Sequence, residues 1–71
     1  MQADICQRVG ERIRQLRTKR KLTQDVLAGL AGIGQDHLSE LERGKKEIGM
    51  RALERIATAL SVRLGKFFED F

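Results

Sequence analysis

Three times along this chain an apolar residue is followed, five positions later, by a second one, with a helix-capping position directly after the first. The pairs are Leu22 with Leu27, Ile33 with Leu38 and Ile48 with Leu53, and the caps are Thr23, Gly34 and Gly49. This is the spacing of a hydrophobic staple, which fixes where a helix begins. Three starts on one pattern commit the chain to a series of short helices. The stops agree. Gly32 and Gly44 follow the periodic stretches, where a residue in the left-handed conformation ends a helix. The spacing predicts helices over about 24–31, 35–43 and 50–60. Leu27, Ala28 and Ala31, then Leu38 and Leu41, then Leu53, Ile56, Ala57 and Leu60 form their inward faces.

Upstream, Ile5, Val9, Ile13 and Leu16 recur at helical spacing, which predicts a first helix from about residue 4 to about 20. Downstream, Val62 and Leu64 continue the core, and a fifth short helix is expected over about 64–69. No alternating run around Val62 lasts long enough for a strand. The expected fold is therefore all-α, with five helices in one domain over 1–71. A chain of 71 residues that is 41% hydrophobic supplies one small core and not two.

Composition removes several classes of function. No apolar run approaches the ~18 residues of a membrane span, and MQADICQRVG has no apolar signal core. One cysteine gives neither an internal disulfide nor a thiolate metal site, so Cys6 reads as a small hydrophobe and a reducing, cytoplasmic compartment is expected. His37 has no companions at metal spacing. No phosphate-binding glycine motif, nucleophile–base pair or carboxylate dyad stands out, and so small a chain has little room for a substrate cavity. No catalysis, cofactor, membrane or small-molecule ligand is expected.

Charge is uneven. The net value is +4, but residues 1–21 carry +5, residues 22–42 carry −4 with no Lys or Arg, and residues 43–71 carry +3. A basic balance favours a nucleic-acid partner. The acidic middle third has to be reconciled with it.

Two short helices joined by a turn containing glycine, with Ala28 at their close approach and Leu27, Ile33, Leu38 and Leu41 between them, form the core of a helix-turn-helix over about 23–43. LTQDVLAGLAGIGQDHLSELERGKK, residues 22–46, resembles the Cro/CI-type or XRE-like family of DNA-binding domains. The resemblance covers about residues 9–68, including an RxxR segment before the motif and LxxIAxAL over 53–60. Length and the Phe67–Phe68 pair are also similar to the short controller proteins of restriction–modification systems.

The resemblance implies roles for individual positions. Helix three would read DNA, with Gln35, Asp36, Ser39 and Glu40 facing the bases. Gln24, Arg43, Lys45 and Lys46 would hold phosphates, and Gln35 would touch bases or lock against Gln24. Arg17 and Glu42 would pair structurally, tying helix one to helix three. Physical argument supports part of this. Positions 35, 36, 39, 40 and 43 share the helical face opposite Leu38 and Leu41. Gln can pair with adenine, and Asp or Glu can accept from cytosine N4. An acidic reader costs non-specific affinity but adds selectivity, provided the basic flanks grip the backbone. A solvated acidic face is the rival reading of Asp36 and Glu40. Arg12, Arg14 and Lys19 are either phosphate contacts or a wet surface.

One such domain covers about half a two-fold site, so a homodimer on a double-stranded operator is expected, with reading helices about 34 Å apart. The pairing surface is expected at Leu64, Phe67, Phe68 and Phe71, with one of Phe67 and Phe68 closing the core. The expected function is sequence-specific transcription regulation. The alternatives are an antitoxin, a restriction controller, or a protein-interaction module that has lost DNA binding.

Overall fold

A computed structural model describes residues 4–71, so the first three residues of the expected domain lie outside the described residues. Four helices run in order: α1 Ile5–Lys19, α2 Gln24–Ala31, α3 Gln35–Glu42 and α4 Met50–Leu60. No strand occurs among the described residues. The starts of α2, α3 and α4 coincide with the three staples. Thr23 Oγ1 accepts from the Val26 amide at 3.2 Å, while Gly34 and Gly49 are extended and offer no side-chain cap. α1 opens on a capping box that composition did not reveal: Asp4 accepts from the Gln7 amide and Gln7 returns a carbonyl to the Asp4 amide.

All four helices stop in the same way. Each ends on a left-handed residue, and the following amide reaches back to the carbonyl five residues earlier, closing a Schellman motif. The bonds are Leu22 to Arg17, Ile33 to Ala28, Lys45 to Glu40 and Val62 to Ala57, each 3.0–3.1 Å. Gly32 and Gly44 hold two of the left-handed positions, while Lys21 and Ser61 hold the others. Leu22 and Ile33 both end one helix and staple the next, which keeps the connections short.

The expected fifth helix is a correction. Leu64–Phe68 forms a short 3-10 turn instead. Glu69 directly after it is extended and Asp70 is left-handed, so the chain leaves helical geometry at Phe68. Gly65 inside the segment also lowers its helix propensity.

The core comprises Val9, Ile13 and Leu16 of α1, the predicted faces of α2 and α3, and Ile56, Ala57 and Leu60 of α4. Phe67 is fully buried among them. Ile5, expected on the inward face of α1, is instead half exposed, because it lies one turn beyond the packed part of the helix. α1 packs on α3, and α2 packs on α4. No helix is long and apolar enough to cross a membrane among the described residues.

Gly29 lies inside α2 with open space where a Cβ would stand. Gly29→Ala is expected to stabilise the protein by about 0.5–1 kcal/mol, because alanine costs less backbone entropy in a helix. Thermal denaturation of the two proteins checks this. A lower melting temperature for the variant would mean that the α2 surface is not open.

Candidate nucleic-acid interface

The turn between α2 and α3 sets the two helices across each other, with Leu27, Leu38 and Leu41 buried in the angle. Two contacts then seat α3 on α1. The first is steric. At Gly10 the α1 backbone lies against α3, and a Cβ at that position would overlap the Leu41 carbonyl oxygen and sit 3.0 Å from that of Glu42. The second is polar. Arg17 Nε donates to Glu42 Oε2 at 2.7 Å and Arg17 Nη2 to Oε1 at 3.0 Å, a bidentate pair. Arg17 Nη1 donates to the Leu22 carbonyl at 2.8 Å. The side chains are 11% and 2% exposed.

Gln24 joins this network. Its Nε2 donates to Glu42 Oε1 at 3.0 Å, which links the glutamine expected at a phosphate, or against Gln35, to the buried carboxylate. One carboxylate, on the last residue of α3, thus ties the first residue of α2 to the last turn of α1.

The outward face of α3 carries the expected readers. Gln35 and Asp36 are exposed, and Ser39 and Glu40 are half-buried. Arg43, Lys45 and Lys46 are exposed at the far end of the helix. Arg43 Nε bonds back to the Ser39 carbonyl at 3.3 Å. Lys46 Nζ lies 3.3 Å from Glu40 Oε1, so an expected phosphate ligand and an expected base reader face each other.

These pairs resolve the acidic middle third. Of its four acids, Glu42 is matched by Arg17 and Glu40 by Lys46, both from outside the segment. Asp25 and Asp36 remain exposed. The −4 along the chain is therefore not a −4 patch in space.

Phe67 is corrected from pairing surface to core. Leu64, Phe68 and Phe71 remain partly exposed, at about two-fifths each. Met50, which the sequence pattern did not single out, is 87% exposed beside them. Arg12, left open between phosphate contact and wet surface, bonds to the carbonyls of Lys66 and Glu69. Among the described residues no cluster of His, Cys, Asp or Glu could hold a metal ion.

The helix-turn-helix family pattern matches residues 13–67. The chain belongs to the XRE-like helix-turn-helix family. One relative is an uncharacterised transcriptional regulator in the ATPase CF(0) region of Rhodospirillum rubrum, 40% identical over 62 residues, covering 87% of this chain and 57% of that protein. The chain spans about half the length of the first curated relatives it matches. Another relative, the control protein C.MunI of a Mycoplasma species, is 31% identical over 68 residues and matches almost end to end, 94% and 92%. Among solved structures, the restriction–modification controller protein C.AhdI of Aeromonas hydrophila superposes with a TM-score of 0.87 at 32% identity, covering 89% of this chain and 96% of that one.

Proposed function

We propose that this protein is a transcription regulator that binds duplex DNA as a homodimer, with α3 in the major groove. The observation that carries this reading is the outward face of α3. It presents Gln35, Asp36, Ser39 and Glu40, is flanked by Arg43, Lys45 and Lys46, and is seated on α1 by Gly10 and the Arg17–Glu42 pair. A helix held from behind, with hydrogen-bonding groups in front and cations at one end, suits base readout with phosphate anchoring. The tie from Gln24 to Glu42 supports a positioning role for that side chain.

Self-association would use the apolar surface formed by the start of α1, α4 and residues 64–71. Phe68 and Leu53 are shared walls of two adjoining apolar hollows. One, of about 240 Å³, also takes in Ile5, Val9 and Ile48, and the other takes in Met50 and Leu64. A second copy is the occupant that suits a domain reading half of a two-fold site. Leu64 and Phe68 line the hollows, while Phe71 supports Phe68 from behind.

A controller of a restriction–modification system is the narrower reading. It is favoured by the near end-to-end match to C.MunI and C.AhdI, both of about this length.

Selection of bound sequences from a random duplex library tests the proposal. Enrichment of a two-fold site is expected, and a folded protein that retains no duplex at low salt overturns it in favour of a protein-interaction module. The Glu40–Lys46 contact sharpens what variants should do. Lys46→Ala should weaken all sequences alike and flatten the slope of log affinity against log salt by ~0.9 for each phosphate no longer neutralised. Glu40→Ala should shift preference at one base position by about 1–3 kcal/mol and, by freeing Lys46, raise affinity for random duplex. Unchanged preference in the Glu40 variant would remove that residue from the reading surface.

A further inference from the structure

Residues 66–71 have little hydrogen bonding of their own. Beyond the 3-10 turn, Glu69 is extended, Asp70 is left-handed, and the one backbone bond is from the Phe71 amide to the Phe68 carbonyl at 3.3 Å. Two arginines of α1 hold this segment. Arg12 places Nη1 on the Lys66 carbonyl at 2.7 Å and Nη2 on the Glu69 carbonyl at 2.9 Å, so one planar fork links the middle of the turn to the residue after it. One turn earlier, the Arg8 guanidinium lies 3.9 Å from the centre of the Phe71 ring, and that of Arg12 lies 5.8 Å from it. Phe71 meets Phe68 edge to face, with ring centres 5.8 Å apart at 85°. An unbroken chain of contacts therefore runs from Arg8 through Phe71 to Phe68.

We infer that Arg12 and Arg8 are positioning residues for self-association: they shape the 64–71 segment from α1 and thereby set Phe68 between the two apolar hollows. The inference rests on the pairing of two copies through that face. A guanidinium on a carbonyl is a charge-assisted bond, and the Glu69 carbonyl it reaches is on the protein surface. Without the fork, residues 68–71, beyond the buried Phe67, must be ordered when two copies meet, and that ordering weakens the dimer. These arginines are not needed at phosphates for this role. A lysine in place of Arg12 keeps the charge and loses the two-ended geometry.

Sedimentation of the whole chain over a concentration series, with amide exchange at residues 66–71, separates the possibilities. The variants are Arg12→Gln, Arg12→Lys, Arg8→Met and Phe68→Glu, with far-ultraviolet circular dichroism confirming that the four helices persist. Both Arg12 variants are expected to raise the dimer dissociation constant about tenfold or more and to speed exchange at Phe71, with Arg8→Met acting in the same direction by less. Phe68→Glu is expected to give monomers. Arg12→Lys behaving like the parent would show that charge alone suffices and overturn the positioning role. Dimers of parental strength from Arg12→Gln, alongside a monomeric Phe68→Glu, would overturn the role of the arginine and leave the pairing face standing. A Phe68→Glu protein that dimerises like the parent would remove the pairing face itself, and the inference with it.

Discussion

Gly10→Ala is expected to cost ~3 kcal/mol or more, although it adds a single methyl group to a helix that should welcome it. Elsewhere in a helix this change stabilises. Here the new Cβ would overlap the Leu41 carbonyl oxygen and crowd that of Glu42, and both are backbone atoms that no rotamer change can clear. The alternatives are to pull α1 off α3 or to bend α3. Either disturbs the seat of Arg17 on Glu42 as well as the apolar packing of Val9, Ile13 and Leu41. A domain this small rarely holds more than about 3–5 kcal/mol of stability, so much of the variant should be unfolded at 37 °C. The melting temperature should fall by about 15 °C or more if a transition survives. Gly29→Ala is the internal control, since the same substitution in open space should act with the opposite sign. A Gly10→Ala protein that melts within a degree or two of its parent would show that α1 and α3 do not approach this closely.

Breaking the Arg17–Glu42 pair from one side is the second large effect. Glu42→Ala is expected to cost ~3–5 kcal/mol, because it leaves a guanidinium in a site that is nearly closed to water. It also removes the acceptor of Gln24. Much of that loss is the cost of an unmatched charge and not the worth of the pair. Replacing both partners, as in Arg17→Met with Glu42→Leu, should therefore recover more than half of it. Urea unfolding of the parent, Arg17→Met, Glu42→Leu and the double variant closes the cycle. Single-variant losses that simply add in the double variant would mean that the two side chains stabilise the fold independently.

These two sites mark where sequence reading reaches and where it stops. The staples at Leu22, Ile33 and Ile48 place the starts of three helices at the residue where they occur, because a staple is a local contact between residues five apart. Gly32 and Gly44 are readable for a similar reason, since a left-handed stop favours glycine. Lys21 and Ser61 perform the same task without any signal in their side chains. Gly10 looks like a weak point within α1 until α3 is laid against it, and only the fold supplies the carbonyl that a Cβ would strike. Arg12 is one of five arginines and lysines on the first helix, and nothing local distinguishes it from its neighbours. Its partners are more than fifty residues away. The fifth helix is overestimated because its end lies in the backbone, at an extended Glu69 and a left-handed Asp70, and the apolar spacing of 64–68 does not show it. At the candidate interface, the α3 face is legible as a pattern. The pairing of Glu40 with Lys46 is not, because it depends on how the loop after Gly44 turns back.

The two ends of α3 are fastened in different ways. Its last turn is clamped by the Gly10 approach, by the salt-bridged Glu42 and by a closed Schellman motif. Its first turn starts on Gly34, with no side chain over the free amides. The helix behaves like a stylus gripped near its base, stiff where Arg43 stands and more compliant where Gln35 and Asp36 stand. In the proposed mode of binding, compliance at that tip would accommodate neighbouring base sequences at modest cost, while the gripped end would tolerate little variation. A half-site read in this way would have a graded tolerance, strict toward one edge and permissive toward the other.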